Sequence, residues 1–198
     1  MEKIKNFKIY KKCLIIVDMV NGFVRDGVLH DEEIAHTIPN QVKLVKEALA
    51  SGDTLVVFIK DTHDEEAKEF KRFGNTKHCL RGTREADLVE ELKIFENEDN
   101  VIAVEKNSTS FMEAIDFRKI MYVLDNVLEY KIVGCCTDIC VFNGAMGLAN
   151  FLDQWNQDAI IKVYLDAIAT YNEKNRQNYV DAACLLMEQQ GIQLVKKK

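Results

Sequence analysis

Three cysteines fall within six positions, Cys135, Cys136 and Cys140, in the run Gly134-Cys-Cys-Thr-Asp-Ile-Cys140. A thiol becomes a nucleophile where a base or a positive charge favours its thiolate. Cys140 falls on the first turn of a helical pattern, where a helix end carries about half a positive charge and unpaired N–H groups. Position alone leaves this reading level with a bland one, since most free cysteines are small core hydrophobes. Cys135 and Cys136, at the end of an apolar run and in the turn after it, read as structural. The spacing Cys-Cys-x-x-x-Cys lacks the paired Cys-x-x-Cys of a zinc knuckle. A disulfide among them would need oxidising conditions.

Two charged residues close apolar runs elsewhere. Asp18 stands in Val-Asp-Met-Val-Asn-Gly-Phe, and Lys106 follows Val-Ile-Ala-Val-Glu. A carboxylate at the end of a fully apolar strand is costly unless it is paired or lies at an open rim. Either residue alone reads as half of a structural ion pair. Together with Cys140 they can supply a thiol, a proton acceptor and a cation that favours the thiolate. Asp61-x-His63 puts two ligand side chains on one side of an extended segment, and His78 is the next histidine. Asp plus two His with open positions suits a catalytic divalent ion. The competing reading is a loop rich in Asp, Glu and His for solubility, and the spacing leaves that open. His30 and His36, the remaining histidines, read as solvated surface.

For these residues to meet, the chain must bring distant segments to one rim. Short Val/Ile/Leu runs without polar alternation recur at 13–17, 54–59, 101–104, 131–134, 160–165 and 192–195, as in strands buried on both faces of a parallel sheet. Helical patterns lie between them. Over 40–50, Val42, Val45 and Leu49 make a stripe, with Thr37 or Asn40 as cap and Gly52 as stop. Over 138–156, Val141, Ala145, Leu148, Leu152 and Trp155 recur at helical spacing and read as core. Thr170-x-x-Glu173 is a capping-box pattern opening the last helix, with Tyr179, Ala183 and Leu186 facing inward. This alternation specifies a doubly wound three-layer α/β/α fold with a six-stranded, mostly parallel sheet. In such folds ligands bind outside the carboxyl ends of the strands, near the switch in strand order. Four consecutive strands would then deliver Asp18, Asp61 with His63, Lys106 and the 135–140 cysteines to one rim.

The bulk properties narrow the field. The 198 residues form one domain, 1–198, since there is one proline, no linker and no repeat. At this length a single core suffices without disulfides. Lys+Arg 26 against Asp+Glu 32 gives a charge of -6, a poor match to nucleic acid, which needs a concentrated basic face. Lysines cluster only at the ends, at 3, 5, 8, 11, 12 and 196–198, and read as solvated termini. The first apolar run is stopped by Asp18, too short for a signal-peptide core or a membrane span. Scattered cysteines such as Cys13 and Cys184 read as buried thiols of a reducing cytoplasm. No Gly-x-Gly-x-x-Gly, phosphate loop or Gly-x-Ser-x-Gly elbow is present, which sets aside nucleotide and serine-hydrolase chemistry.

With these residues assembled, the chain resembles the isochorismatase-like cysteine hydrolases, and within them the nicotinamidase branch. The resemblance runs from Cys13 to about Val195. Its marks are Val17-Asp18-Met19-Val20-Asn21-Gly22-Phe23, Lys106, and Gly134-Cys135-Cys136-Thr137-Asp138-Ile139-Cys140-Val141, the last being the most specific. The resemblance implies a triad of Asp18, Lys106 and Cys140. It also implies a cis peptide before Cys136, with the N–H groups of Cys136 and Cys140 as oxyanion hole. Asp61, His63 and His78-Cys79 match the metal-binding residues of that branch, with Glu69 as a fourth candidate ligand. Phe23 matches an aromatic that lines the substrate ring, and Phe73 is a second candidate. The stretch from Phe73 to His78, Phe-Gly-Asn-Thr-Lys-His, departs from the branch's aromatic-Pro-x-His pattern. The implied activity is hydrolysis of nicotinamide to nicotinate and ammonia through a thioester, a step of NAD salvage. One divalent ion per subunit would assist, zinc first, with iron or manganese as alternatives. The implied partners are a small-molecule amide and further copies of the chain, as a dimer or tetramer, with no membrane or nucleic acid. Other readings stay open: a metal-free amidase of the same superfamily acting on a carbamoyl or linear amide, a silent binding protein, or a thiol redox sensor.

Overall fold

A computed structural model describes residues 10–124, 126–172 and 174–196. Six strands, β1 (Lys12–Val17), β2 (Thr54–Asp61), β3 (Val101–Lys106), β4 (Glu129–Cys135), β5 (Ile160–Ala169) and β6 (Gln193–Val195), form one sheet in the order β3-β2-β1-β4-β5-β6. Every pairing is parallel. The chain winds outward from β1 to β3, then restarts on the other side of β1 with β4. The switch in strand order therefore lies between β1 and β4, so Asp18 and the 136–140 turn leave the sheet side by side.

The alternation along β1 explains the three layers. Cys13, Ile15 and Val17 enter one core with Phe111, Phe117, Ala145 and Leu148. Leu14 and Ile16 enter the other with Ile34, Leu44, Val45 and Leu92. Both faces of the central strands are thus apolar, which is why their runs lack polar residues. β3 is an edge strand, and there Ala103 and Glu105 are exposed. Gly134 lets β4 press against β1: its φ is +117°, and a Cβ there would stand 2.0 Å from the Val17 carbonyl oxygen.

The helices follow the expected positions with shifted faces. The helix Ile38–Ser51 has Thr37 at its N-cap, Pro39 in its first turn and Gly52 at its C-cap with φ 69°. Its buried residues are Ile38, Gln41, Leu44, Val45 and Ala48, so Val42 and Leu49 flank the inner face instead of centring it. In the helix Phe142–Gln154, Ala145, Leu148 and Leu152 are buried. Trp155, expected in the core, is 54% exposed, because it caps the helix and packs on Tyr122 and Phe151 at the surface. The last helix, Arg176–Gln189, begins at Asn175, and Thr170 lies five residues before that cap. The capping-box partner Glu173 lies outside the described residues, as do lysines 3, 5, 8, 197 and 198. Only Ala183 and Met187 of this helix are buried. Tyr179 and Leu186, expected inward, are 50% and 46% exposed, because this helix presents a narrow inner face and Tyr179 borders an open cleft instead of the core. Cys184 is half-buried, whereas Cys13 is fully buried. Among the described residues no helix is long and apolar enough to cross a membrane.

Candidate active site

The strand ends deliver their charged residues as the fold requires. Asp18 follows β1 with φ 52°, a turn of the backbone that Asp tolerates better than most residues, and its N–H donates to the Ile59 carbonyl at 2.9 Å. Lys106 ends β3, in register with Asp61 at the end of β2. All three are buried. The Lys106 ammonium stands 2.9 Å from Asp18 Oδ2, 2.6 Å from Asp61 Oδ1 and 3.7 Å from Cys140 Sγ. One cation thus bridges two carboxylates and faces the thiol. Removing it would leave Asp18 buried without its cation and Asp61 with only the two imidazoles.

Cys140 differs from expectation in its local structure. After β4 and a cis peptide between Cys135 and Cys136, residues Thr137–Val141 form a π-helical turn ahead of the α-helix at Phe142. Both Ile139 and Val141 N–H groups donate to the Cys136 carbonyl at 3.1 Å, and the five-residue span of the second widens this turn relative to an α-helix. The thiol titrates differently too. Burial pushes Cys140 well above the ordinary thiol range, and the Lys106 charge only partly offsets it. Burial thus favours the neutral thiol, which shares the Lys106 ammonium with the Asp18 carboxylate. Burial also raises Asp18, to about 7, against the lowering pull of Lys106. Burial works against the Asp61 charge, yet Lys106 and hydrogen bonds from His63 and His78 hold it below the usual carboxylate range.

Asp61 is where two clusters join. While Oδ1 takes Lys106, Oδ2 lies 2.8 Å from His63 Nε2 and 3.4 Å from His78 Nε2. The histidines are brought together by backbone pairing: His63 N–H donates to the Cys79 carbonyl at 2.9 Å and Arg81 N–H to the His63 carbonyl at 2.8 Å. The ligand atoms of Asp61, His63 and His78 all lie within 4.8 Å of one another, and all three residues are buried. A buried carboxylate with two imidazoles aimed at one point is the donor chemistry of a divalent cation site. These three residues could hold a metal ion. Glu69 stands beside the group, its Oε1 3.8 Å from His63 Nε2.

Both clusters open into one cleft of about 430 Å³, lined by Phe23, Asp61, Glu69, Phe73, His78, Cys136 and Cys140 among others. Phe23 is buried, with its ring 5.7 Å from that of His78. Phe73 also lines the cleft but is 40% exposed, on the loop between the metal-type ligands. Three contributors were not singled out from the sequence. Phe70, buried, packs edge-on against both His63 and His78, at 5.1 and 5.3 Å. Tyr171 faces Phe23 at 6.5 Å and hydrogen-bonds with the Cys136 thiol. The apolar run at 160–165 stops four residues short of the end of β5 at Ala169, so the residue-after-a-strand rule did not reach Tyr171. Asn107 accepts from His63 Nδ1 at 2.6 Å.

The Isochorismatase domain model matches residues 12–196. The chain belongs to the isochorismatase family. This isochorismatase-family chain is 32% identical over 173 residues to the "Uncharacterized isochorismatase family protein PncA" of Bacillus subtilis (strain 168), covering 83% of this chain and 89% of that one. It is 33% identical over 142 residues to Nicotinamidase 1 of Arabidopsis thaliana, covering 66% of this chain and 57% of the relative. Among solved structures, the pyrazinamidase/nicotinamidase of Streptococcus mutans UA159 superposes with a TM-score of 0.73 at 25% identity, over 93% of this chain and 99% of that one. The six-stranded parallel sheet with helices on both faces is therefore an isochorismatase-like fold, as expected. Amide hydrolysis is the activity class of the named enzymes it resembles.

Proposed function

We propose that this protein is a nicotinamidase, a cysteine amidohydrolase that converts nicotinamide to nicotinate and ammonia. The observation that carries the reading is Asp61, whose two oxygens tie the Asp18–Lys106–Cys140 group to the Asp61–His63–His78 group on the wall of one cleft. A thiol at one end and a cation-binding group at the other suit a flat substrate with an amide on one side and a ring nitrogen on the other. Similarity to nicotinamidases at 33% and 25% identity supports the same substrate class.

In this reading the resting Cys140 thiol gives its proton to Asp18 as the sulfur attacks the amide carbon. Lys106 balances the carboxylates and the developing negative charge on sulfur. The N–H groups of Cys136 and Cys140, the oxyanion hole implied by resemblance, receive the carbonyl oxygen as it becomes negative. Losing one such donor costs about 3–4 kcal/mol of transition-state stabilisation. The C–N bond then breaks, with Asp18 returning its proton to the departing ammonia. Water hydrolyses the thioester and frees nicotinate and the thiol. Phe23 and Phe73 sandwich or flank the ring. A divalent ion held by Asp61, His63 and His78, with Glu69 beside them, would bind the ring nitrogen and orient the amide. Such ligands suit zinc first, with iron or manganese as alternatives.

Rates of ammonia release from nicotinamide, benzamide and a linear carbamoyl amide test the assignment on zinc-loaded protein. Nicotinamide should be hydrolysed at least about 100-fold faster than benzamide, which offers no ring nitrogen to the cation. Equal rates for the two rings, or a preference for the linear amide, would overturn it.

A further inference from the structure

The two imidazoles of the Asp61–His63–His78 group are held by different means. His78 Nδ1 meets the Thr76 carbonyl at 3.0 Å, within its own loop. That backbone oxygen can only accept, so Nδ1 carries the proton and Nε2 is turned to Asp61. Among the described residues His63 has no such backbone partner at Nδ1. Its partner is the Asn107 side-chain oxygen, 2.6 Å away and 44 positions along the chain. Asn107 directly follows Lys106, so the end of β3 grips the group from both sides. Lys106 takes Asp61 Oδ1 at 2.6 Å, and Asn107 takes His63 Nδ1.

An asparagine can present either its oxygen or its NH₂ group. With the oxygen facing Nδ1, the imidazole keeps its Nδ1 proton when a cation displaces the Nε2 proton that bonds Asp61 Oδ2 at 2.8 Å, so that Nε2 can then offer its lone pair beside Asp61 and His78. With the NH₂ group facing Nδ1, the proton would be driven to Nε2, the position aimed at the shared point. A cation needs that nitrogen unprotonated. Asn107 is itself exposed at the protein surface, so its side chain is not needed to fill the core.

We propose that Asn107 is a positioning residue for cation binding: its side-chain oxygen fixes the proton of His63 on Nδ1 and so presents Nε2 to an ion shared with Asp61 and His78. This rests on the cation-site reading given above. Asn107 is not among the residues that line the cleft, and it acts through His63.

The test uses zinc ion alone, titrated into metal-stripped full-length protein by chelator competition, together with ¹⁵N NMR of the histidine rings. Asn107→Leu keeps a similar volume without an acceptor and should weaken zinc binding about 10–100-fold. Asn107→Asp keeps an acceptor that cannot turn into a donor, and should bind zinc at least as tightly as the wild type. In the zinc-loaded wild type and Asp variant, the His63 ring should carry its proton on Nδ1. Zinc affinity of the Leu variant within twofold of wild type would overturn the proposal, as would equal loss in the Leu and Asp variants. Failure of the cation-site reading looks different: the wild type itself would bind no zinc, or His63→Ala would bind it unchanged.

Discussion

The cleft has two walls built on different principles. One is made of strand ends: Asp18, Asp61, Lys106 and the turn carrying Cys140 leave parallel neighbours of one sheet and are all buried. The other is the 64–77 loop between the two histidines, where residues 64–66 and 71–75 are exposed. Glu69 and Phe73 ride on that loop, while Phe70 alone turns fully inward against both imidazoles. On the sheet side each side chain leaves the end of a hydrogen-bonded strand or the turn just after one, with neighbours on both hands for β1, β2 and β4 and on one for β3. On the loop side only short-range turns and a few contacts hold it. Chemistry that tolerates little displacement sits on the first wall, and contacts that select the substrate fall on the second.

Substitutions can break this contrast. Replacing Lys106 by methionine should have the largest effect, since it leaves Asp18 and Asp61 buried with no cation between them. The expected loss is about 3–5 kcal/mol in chemical denaturation, together with activity. A Lys106→Met protein as stable as the wild type would mean that the carboxylates protonate at no cost. The second effect is on pH dependence. Asp18, raised to about 7, must be ionised to take the thiol proton. Ionisation is lost as pH falls through 7, so kcat/KM should drop about tenfold per unit below it. A profile flat from pH 5 to 8 on zinc-loaded protein, where a bound ion removes His63 from the titration, would take Asp18 out of the proton-transfer role. The smallest effect belongs to the loop. Phe73→Ala should raise KM about 2–5-fold with kcat held, because a half-exposed ring contributes little. Phe70→Ala, in contrast, should cost about 3–5 kcal/mol of stability, being a buried ring. Equal penalties for the two would erase the distinction between loop and core.

The same contrast governs how much could be read from the chain. Strand ends were legible because a strand buried on both faces is a run of Val, Ile and Leu, and a charged residue terminating it stands out. Hence Asp18, Asp61 and Lys106 stand out in the chain, with His63 and Cys140 just beyond strand ends, and the structure brings these side chains together with His78. The π-helical turn at Thr137–Val141 was not legible, because Val141, Ala145, Leu148 and Leu152 keep a helical spacing straight through its end. Burial is equally hidden from local pattern: position on a helix end argues for thiolate, whereas burial of Cys140 pushes the thiol the other way. On the last helix, periodicity finds an apolar stripe without showing what each of its members faces: Tyr179 lines the cleft with Tyr171 and Arg176, and Leu186 is 46% exposed. Asn107 and Tyr171 depend on contacts with partners far along the chain, which local pattern does not display.

The most direct test of the central claim is ammonia release from nicotinamide by zinc-loaded protein, by the same protein after chelation, and by Cys140→Ala. The account predicts turnover that chelation suppresses and zinc restores, and that falls at least about 10⁴-fold in the folded, zinc-binding Cys140→Ala variant. Substantial turnover in that variant, or none in the zinc-loaded wild type, would contradict it.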